Sequence, residues 1–239
     1  MENKPQRIAL LVDGDNAQSK IMDLVLEEAS KYGKVTIRRV YGDWTIQHMN
    51  HWKSLLNEMA FNPIQKFSYT TGKNSTDSAL IIDAMDILHA GLVDGFCIVS
   101  SDSDYTGLAK RIRESGIFVM GIGEEKTPSA FVKSCEIFTY VENLEPKVEK
   151  PAKKEAVKQE KSRTTVSTKF INRAFDMSIN ESNEAYISTL GINLRKLDPS
   201  FDVRTYGCKT LTQFFSKLPG FVVMDNVVNG LNNPLVKKK

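Results

Sequence analysis

Through the first 145 residues, short β-rich apolar runs alternate with segments of helical period. That alternation restricts the chain to βαβ units on a mostly parallel sheet. Ile8-Ala-Leu-Leu-Val12 opens the series as a buried strand. The spacing then predicts a helix over residues 19–32, where Ile21, Leu24, Val25 and Ala29 recur about one turn apart. Residues 34–41 read as a strand, 47–59 as a helix, and 62–69 as a strand entered through Pro63. Residues 76–90 carry the clearest helical face, Leu80, Ile81, Ala84, Met85 and Leu88, with Thr76 as a suitable N-cap. A strand over 96–99, a helix over 105–115, a strand over 117–122 and an edge strand over 136–141 complete the pattern. The expected fold class is α/β, a doubly wound sheet followed by a smaller domain.

Two of these strands end in acids. The first runs straight into Asp13-Gly-Asp-Asn16, and Ile98-Val-Ser-Ser-Asp-Ser-Asp104 repeats the design. Buried strands do not spend carboxylates without a reason. In a parallel sheet both clusters fall on the carboxyl edge, where open α/β folds bind their ligands. Asp77 joins them from the first turn of the 76–90 helix, after the polar loop Thr70-Thr-Gly-Lys-Asn-Ser75. Carboxylates crowded together repel unless a cation joins them. An all-carboxylate set suits Mg²⁺ or Mn²⁺ rather than zinc, and His48, His51 and His89 lie far from these acids in sequence. Carboxylate-held magnesium chiefly serves phosphate chemistry.

Plainer roles stand beside these. Asp77 also suits the positive end of its helix, a use worth about 0.3–1 kcal/mol. Asp104 is equally placed to cap the helix that follows it. Asp83 lies about 240° round the helix from Asp77, so it can support the site from behind but not easily join it. Asn16 can hold a metal-bound water or a phosphate. Lys73, Asn74, Ser75 and Thr76 offer donors beside a helix N-terminus, and Ser101 and Ser103 interleave the aspartates. Gly121-Ile-Gly123 follows a strand but lacks the third glycine of a dinucleotide loop.

The net charge of +3 hides an asymmetry. Residues 1–145 hold 15 Lys and Arg against 20 Asp and Glu, a net of −5, whereas 146–163 and 164–239 each carry +4. Residues 146–163 have almost no apolar content and read as a charged flexible linker. Beyond it the pattern changes to short helices over 164–177, 185–197 and 210–217, then short strands over 221–225 and 229–231, with a winged-helix flavour. The basic balance there leans towards a polyanion. Cys97, Cys135 and Cys208 show neither metal-ligand spacing nor a disulfide framework. No apolar stretch approaches the roughly 18 residues of a membrane span, and no signal-peptide core follows Met1. The expectation is a cytoplasmic protein without a membrane partner.

Ala9-Leu-Leu-Val-Asp-Gly-Asp-Asn16, Lys73-Asn-Ser-Thr-Asp-Ser-Ala-Leu-Ile-Ile-Asp83 and Val99-Ser-Ser-Asp-Ser-Asp-Tyr105 together resemble the NYN family of PIN-like ribonucleases. The likeness covers about residues 5–143. It implies metal-binding acids at Asp13, Asp77, Asp102 and Asp104, the family asparagine at Asn16, and a recurrent helix acid at Asp83. Residues 163–236 resemble an OST-HTH (LOTUS) domain, carried by the stretch from Ala185 to Phe215, with Tyr186 where many such domains have tryptophan. There Ile187, Leu190, Leu194, Leu197, Leu211, Phe214 and Phe215 read as core. Arg204, Tyr206, Gly207 and Lys209 read as either an RNA surface or a tight turn with solvated cations.

The expected domains are therefore 1–145 (NYN), 146–163 (linker) and 164–239 (LOTUS). The expected activity is Mg²⁺- or Mn²⁺-dependent endonucleolytic cleavage of single-stranded or structured RNA. Asp13, Asp77, Asp102, Asp104 and Asn16 form the centre. Asp83 and Ser101 support it, while Lys73, Ser75, Thr76, Arg204, Tyr206 and Lys209 contact substrate. The rival readings are a catalytically silent RNA-binding regulator and an adaptor whose C-terminal domain docks a protein partner. The sequence leaves the oligomeric state open.

Overall fold

The computed structural model describes residues 7–67, 75–144, 166–228 and 231–239. It divides into two compact units, Met1–Glu145 and Pro146–Lys239. The charged segment read as a linker lies outside the described residues.

The first unit runs β1 (Arg7–Asp13), α1 (Met22–Ser30), β2 (Lys34–Gly42), α2 (Lys53–Glu58), β3 (Asn62–Gln65), α3 (Ser75–His89), β4 (Gly95–Val99), α4 (Thr106–Glu114), β5 (Phe118–Gly123), α5 (Ser129–Ser134) and β6 (Ile137–Tyr140). Its six strands form one sheet in the order β3-β2-β1-β4-β5-β6. Every pairing is parallel. β1 and β4 lie side by side at the centre, Ile8 opposite Gly95 and Val12 opposite Val99. Their runs are apolar because both faces are covered.

Alternation along β1 separates the two cores. Ala9 and Leu11 pack with Leu80 and Ala84 of α3, Leu108 and Ile112 of α4, and Phe131 of α5. Ile8, Leu10 and Val12 face the other way, onto Met22 and Val25 of α1, Trp52, and Leu56 of α2. Asp13 falls on the Ala9–Leu11 side of that alternation, towards α3 and α4.

The expected strands and helices match with shifted ends. The helices expected over 19–32 and 47–59 each start as a 3₁₀ turn, Ser19–Ile21 and Gln47–Trp52. The strand expected to reach residue 69 is described only as Asn62–Gln65. Sequence periodicity missed α5, whose six residues are too few to show a face. Gly121 and Gly123 both lie in β5. A Cβ on Gly123 would come within 2.6 Å of the Ser100 carbonyl oxygen and 2.8 Å of the Thr127 hydroxyl. Gly123 thus lets the chain leaving β4 approach β5, whereas a Cβ on Gly121 would meet the Phe138 ring at 2.5 Å, so both glycines serve packing.

The second unit holds α6 (Thr168–Asp176), β7 (Glu184–Tyr186), α7 (Ile187–Leu197), α8 (Leu211–Lys217), β8 (Phe221–Met224), β9 (Val227–Val228), β10 (Leu231–Asn232) and β11 (Leu235–Lys238). The helices pack on an antiparallel sheet ordered β7-β11-β8, through Ile171, Phe175, Leu190, Leu194, Phe214, Phe215 and Val236. The helix expected from residue 185 begins at Ile187, because Ala185 and Tyr186 pair with Val236 and Leu235. Thr210 caps α8 by accepting from the Gln213 amide at 3.1 Å. Residues 229 and 230 of the last expected strand lie outside the described residues, and β11 had no sequence counterpart.

Candidate active site

The chain leaves β1 for β2 and β3 on one side, then returns through α3 to β4 on the other. The carboxyl ends of β1 and β4 therefore meet where the strand order reverses, the usual ligand position of an open α/β sheet. Asp13 closes β1 there and is fully buried. Its Oδ2 accepts from the Asn16 side-chain amide at 2.7 Å and from the Ser100 hydroxyl at 2.9 Å, and its Oδ1 from the Asp15 amide at 3.2 Å. Gly14 makes this turn possible. Its amide donates to the Tyr41 carbonyl at 2.9 Å, and a Cβ would sit 2.7 Å from that oxygen and 2.9 Å from the Met49 methyl. Burial raises the Asp13 pKa; the Asn16 and Ser100 bonds oppose that shift, and the charges of Asp77 and Asp15 reinforce it.

Asp77, in the first turn of α3, is buried. One carboxylate oxygen from each of Asp77, Asp102 and Asp104 lies within 4.8 Å of the others. Burial raises the Asp77 pKa above the ordinary value, the Tyr105 hydroxyl lowers it, and the charges of Asp102, Asp104 and Asp15 raise it further. Tyr105 is fully buried, packs on Phe131 at 6.2 Å, which in turn meets Phe138 at 5.7 Å, and donates to Asp77 Oδ1 at 2.7 Å. Its phenol is shifted far upward by burial and the neighbouring acids, so it stays a donor.

The two acids after β4 exchange the roles that sequence left open. Asp102, not Asp104, caps the 3₁₀ turn Ser103–Tyr105, accepting from the Asp104 amide at 2.9 Å. Asp104 is exposed beside Asp77 and Asp102. Ser100 joins the strand ends: its hydroxyl donates to Asp13 and accepts from the Asp102 amide at 3.1 Å.

Other expected residues sit differently. Asn16 spends its amide on Asp13, so its observed work is to hold that carboxylate. Ser101 accepts from the Glu124 amide at 2.9 Å and ties the β4 loop to the end of β5. Thr76 is not an N-cap, since α3 starts at Ser75; it is buried and donates to Asp15 at 2.8 Å. Asp83 bonds the Arg39 guanidinium and the Tyr41 hydroxyl, fastening α3 to β2 rather than meeting the other acids. Lys73 lies outside the described residues, as does the side chain of Ser75. Sequence reasoning missed Ser100, Tyr105 and Asp15, although all three stand inside the quoted motifs.

In the second unit, Arg204 is engaged by Asp202, with Nε 2.9–3.0 Å from both carboxylate oxygens. Tyr206 packs its half-buried ring against Phe201 and Phe214, at 5.9 and 5.2 Å. Neither is the open contact expected of it. Gly207 takes the left-handed conformation (φ +67°) that ends this turn, and Lys209 is exposed after it.

A family model of the NYN domain matches residues 7–143, more than half of the chain. The chain belongs to the NYN family. An OST-HTH/LOTUS domain follows over residues 163–232. An NYN domain implies a PIN-like nuclease, and a LOTUS domain implies RNA binding. The chain is similar to the uncharacterized protein MJ0482 of Methanocaldococcus jannaschii, 30% identical over 124 residues, 50% of this chain and 48% of that protein. It thus matches about half the length of this curated relative. It also resembles the solved structure of VPA0982, a protein of unknown function from Vibrio parahaemolyticus, with TM-score 0.49 and 18% identity over 59% of this chain and 96% of that one. No helix among the described residues is long and apolar enough to cross a membrane.

The donor set of the NYN unit fits a hard divalent cation. Its converging groups are carboxylate oxygens, and both Asp77 among them and Asp13 beside them are held above their ordinary pKa by burial and by neighbouring acids. A cation would relieve that repulsion.

Proposed function

We propose that this protein is a divalent-metal-dependent endoribonuclease whose NYN unit cleaves RNA and whose LOTUS unit binds it. The observation that carries the reading is the convergence of Asp77, Asp102 and Asp104 within 4.8 Å, beside buried Asp13, at the switch point of the sheet. Asp77, Asp102 and Asp104 would hold Mg²⁺ or Mn²⁺, with Asp13 beside them. Such an ion, when bound, activates water and neutralises charge on the reacting phosphate. The chain's own groups set the geometry. Ser100 and Asn16 orient Asp13, Tyr105 fixes Asp77, and the Asp104 amide fixes Asp102, so each of these acids reaches the site from a held position. Lys73 and the Ser75 and Ser101 hydroxyls are proposed to meet the phosphate. Lys209 is the favoured substrate contact in the LOTUS unit, because Arg204 and Tyr206 are occupied by Asp202 and by the aromatic core.

The test is incubation of labelled RNA and DNA with the protein and Mg²⁺, Mn²⁺ or EDTA, beside Asp102→Asn. Metal-dependent cleavage of RNA that Asp102→Asn removes, with RNA affinity nearly intact, is the expected result. Equal cleavage by a purified Asp13→Asn/Asp102→Asn double variant would sink the mechanism. RNA binding without any cleavage would favour the silent regulator, and absence of salt-dependent RNA binding would favour the adaptor.

A further inference from the structure

Asp15 is not among the acids proposed to hold the ion, yet it bonds to the segments that carry Asp13 and Asp77. Its backbone amide donates to Asp13 Oδ1 at 3.2 Å, while its side-chain Oδ2 accepts from the Thr76 hydroxyl at 2.8 Å, sixty-one residues away. Thr76 is buried and immediately precedes Asp77. One residue therefore joins the turn after β1, which carries Asp13, to the first turn of α3, which carries Asp77. Elsewhere α3 is fastened to β2 by Asp83 with Arg39 and Tyr41, at residue 83, well over a turn from Asp77. Near its start, among the described residues, a side-chain cross-link between the segments is Asp15 to Thr76.

We infer that Asp15 is a positioning residue, a latch that acts through Thr76 to set the separation of Asp77 from Asp13. Two observations favour a latch over a further metal ligand. Asp15 is absent from the group of carboxylates whose oxygens converge within 4.8 Å. Its Oδ2 is also already committed to Thr76. The latch has an electrostatic cost, since the Asp15 charge raises the pKa of both acids it aligns. The same charge adds to the negative rim of the proposed cation site. The inference rests on the metal-site reading, and the experiment separates the two.

Mn²⁺ alone is titrated into the full chain and into Asp15→Ala, Thr76→Val, their double variant and Thr76→Ser, followed by electron paramagnetic resonance. Hydrogen exchange of the Ala79 and Leu80 amides is measured on the same metal-free samples. A latch predicts that each single variant weakens Mn²⁺ binding about 10-fold, as loss of partners behind a metal ligand commonly does. The double variant should lose no more than Asp15→Ala alone, because Thr76→Val removes only a contact that Asp15→Ala has already removed. Thr76→Ser should stay within about twofold of the parent, since it keeps the donor hydroxyl. Exchange at the start of α3 should quicken in Asp15→Ala and Thr76→Val and recover in Thr76→Ser. Weakened Mn²⁺ binding in Asp15→Ala with none in Thr76→Val would overturn the latch in favour of direct ligation. Unchanged exchange in all variants would overturn it outright. If the parent takes up no Mn²⁺, the metal-site reading fails, and the exchange result alone decides the latch.

Discussion

β1 and β4 pair from Ile8 with Gly95 to Val12 with Val99, and the two ends of this pair treat acids in opposite ways. At the amino end, Asp94 takes the Arg7 backbone amide at 2.9 Å, its Nε at 3.2 Å and its Nη2 at 3.0 Å, all in exposed positions. A cation answers the carboxylate, and solvent screens both. At the carboxyl end, Asp13 and Asp77 are buried, and among the described residues the partners given above for Asp13, Asp77 and Asp102 are hydroxyl, amide and backbone groups. Burial first, and then like charges, push the Asp13 and Asp77 pKa values up there. One pair of strands thus carries a balanced surface acid at one end and a desolvated, strained cluster at the other. Only the second arrangement has unspent attraction for a cation.

That contrast can be broken by experiment. The largest effect is expected from Asp77→Asn, which should lower metal-dependent RNA cleavage at least about 100-fold, since even partners behind a metal ligand are worth about 10–100-fold. The same change should raise the melting temperature of the metal-free protein, because it removes a repelled charge while keeping an acceptor for Tyr105. Calorimetry in EDTA checks this. Next, Mg²⁺ or Mn²⁺ at about 100 times its Kd should raise the melting temperature of the parent by about 5–10 °C, and EDTA should reverse it. Arg7→Ala, at the other end of the same strands, should leave cleavage and that metal-induced shift unchanged.

The pH dependence follows from the sign of the shifts. Asp13 and Asp77 hold protons more tightly in the folded chain than at the ordinary aspartate value of 3.8. Their contribution to stability is therefore complete below that value and lost as pH rises through the raised folded values. Metal-free protein should melt at progressively lower temperature as pH climbs out of the acidic range, and saturating metal should flatten that slope. A smaller effect is expected from Asp83→Asn. Weakening its bonds to Arg39 and Tyr41 should cost about 1–2 kcal/mol in denaturant unfolding, with cleavage changed less than tenfold.

Much of this was legible in the sequence. The strand–helix alternation gave the sheet, and acids closing two apolar runs marked the edge where the candidate site lies, because parallel strands put like ends together. What could not be read was the division of labour among neighbours. Asp102 and Asp104 are one residue apart in equally polar surroundings, and only the turn decides which one caps. Ser100 and Tyr105 look like strand end and helix start until their hydroxyls are aimed at Asp13 and Asp77. Arg204 and Tyr206 looked open because a local ion pair with Asp202 and a ring cluster with Phe201 and Phe214 leave no periodic trace. Short elements such as α5 escaped for the same reason.

Gly14 bears on how this site would decay in descent. Its turn is pressed against the Tyr41 carbonyl and Met49, with no room for even a methyl group. A descendant could therefore keep Asp13, Asp77, Asp102 and Asp104 and still fall silent through alanine at position 14. In judging which relatives could carry the proposed activity, the residue with no side chain is as informative as the acids it stands among.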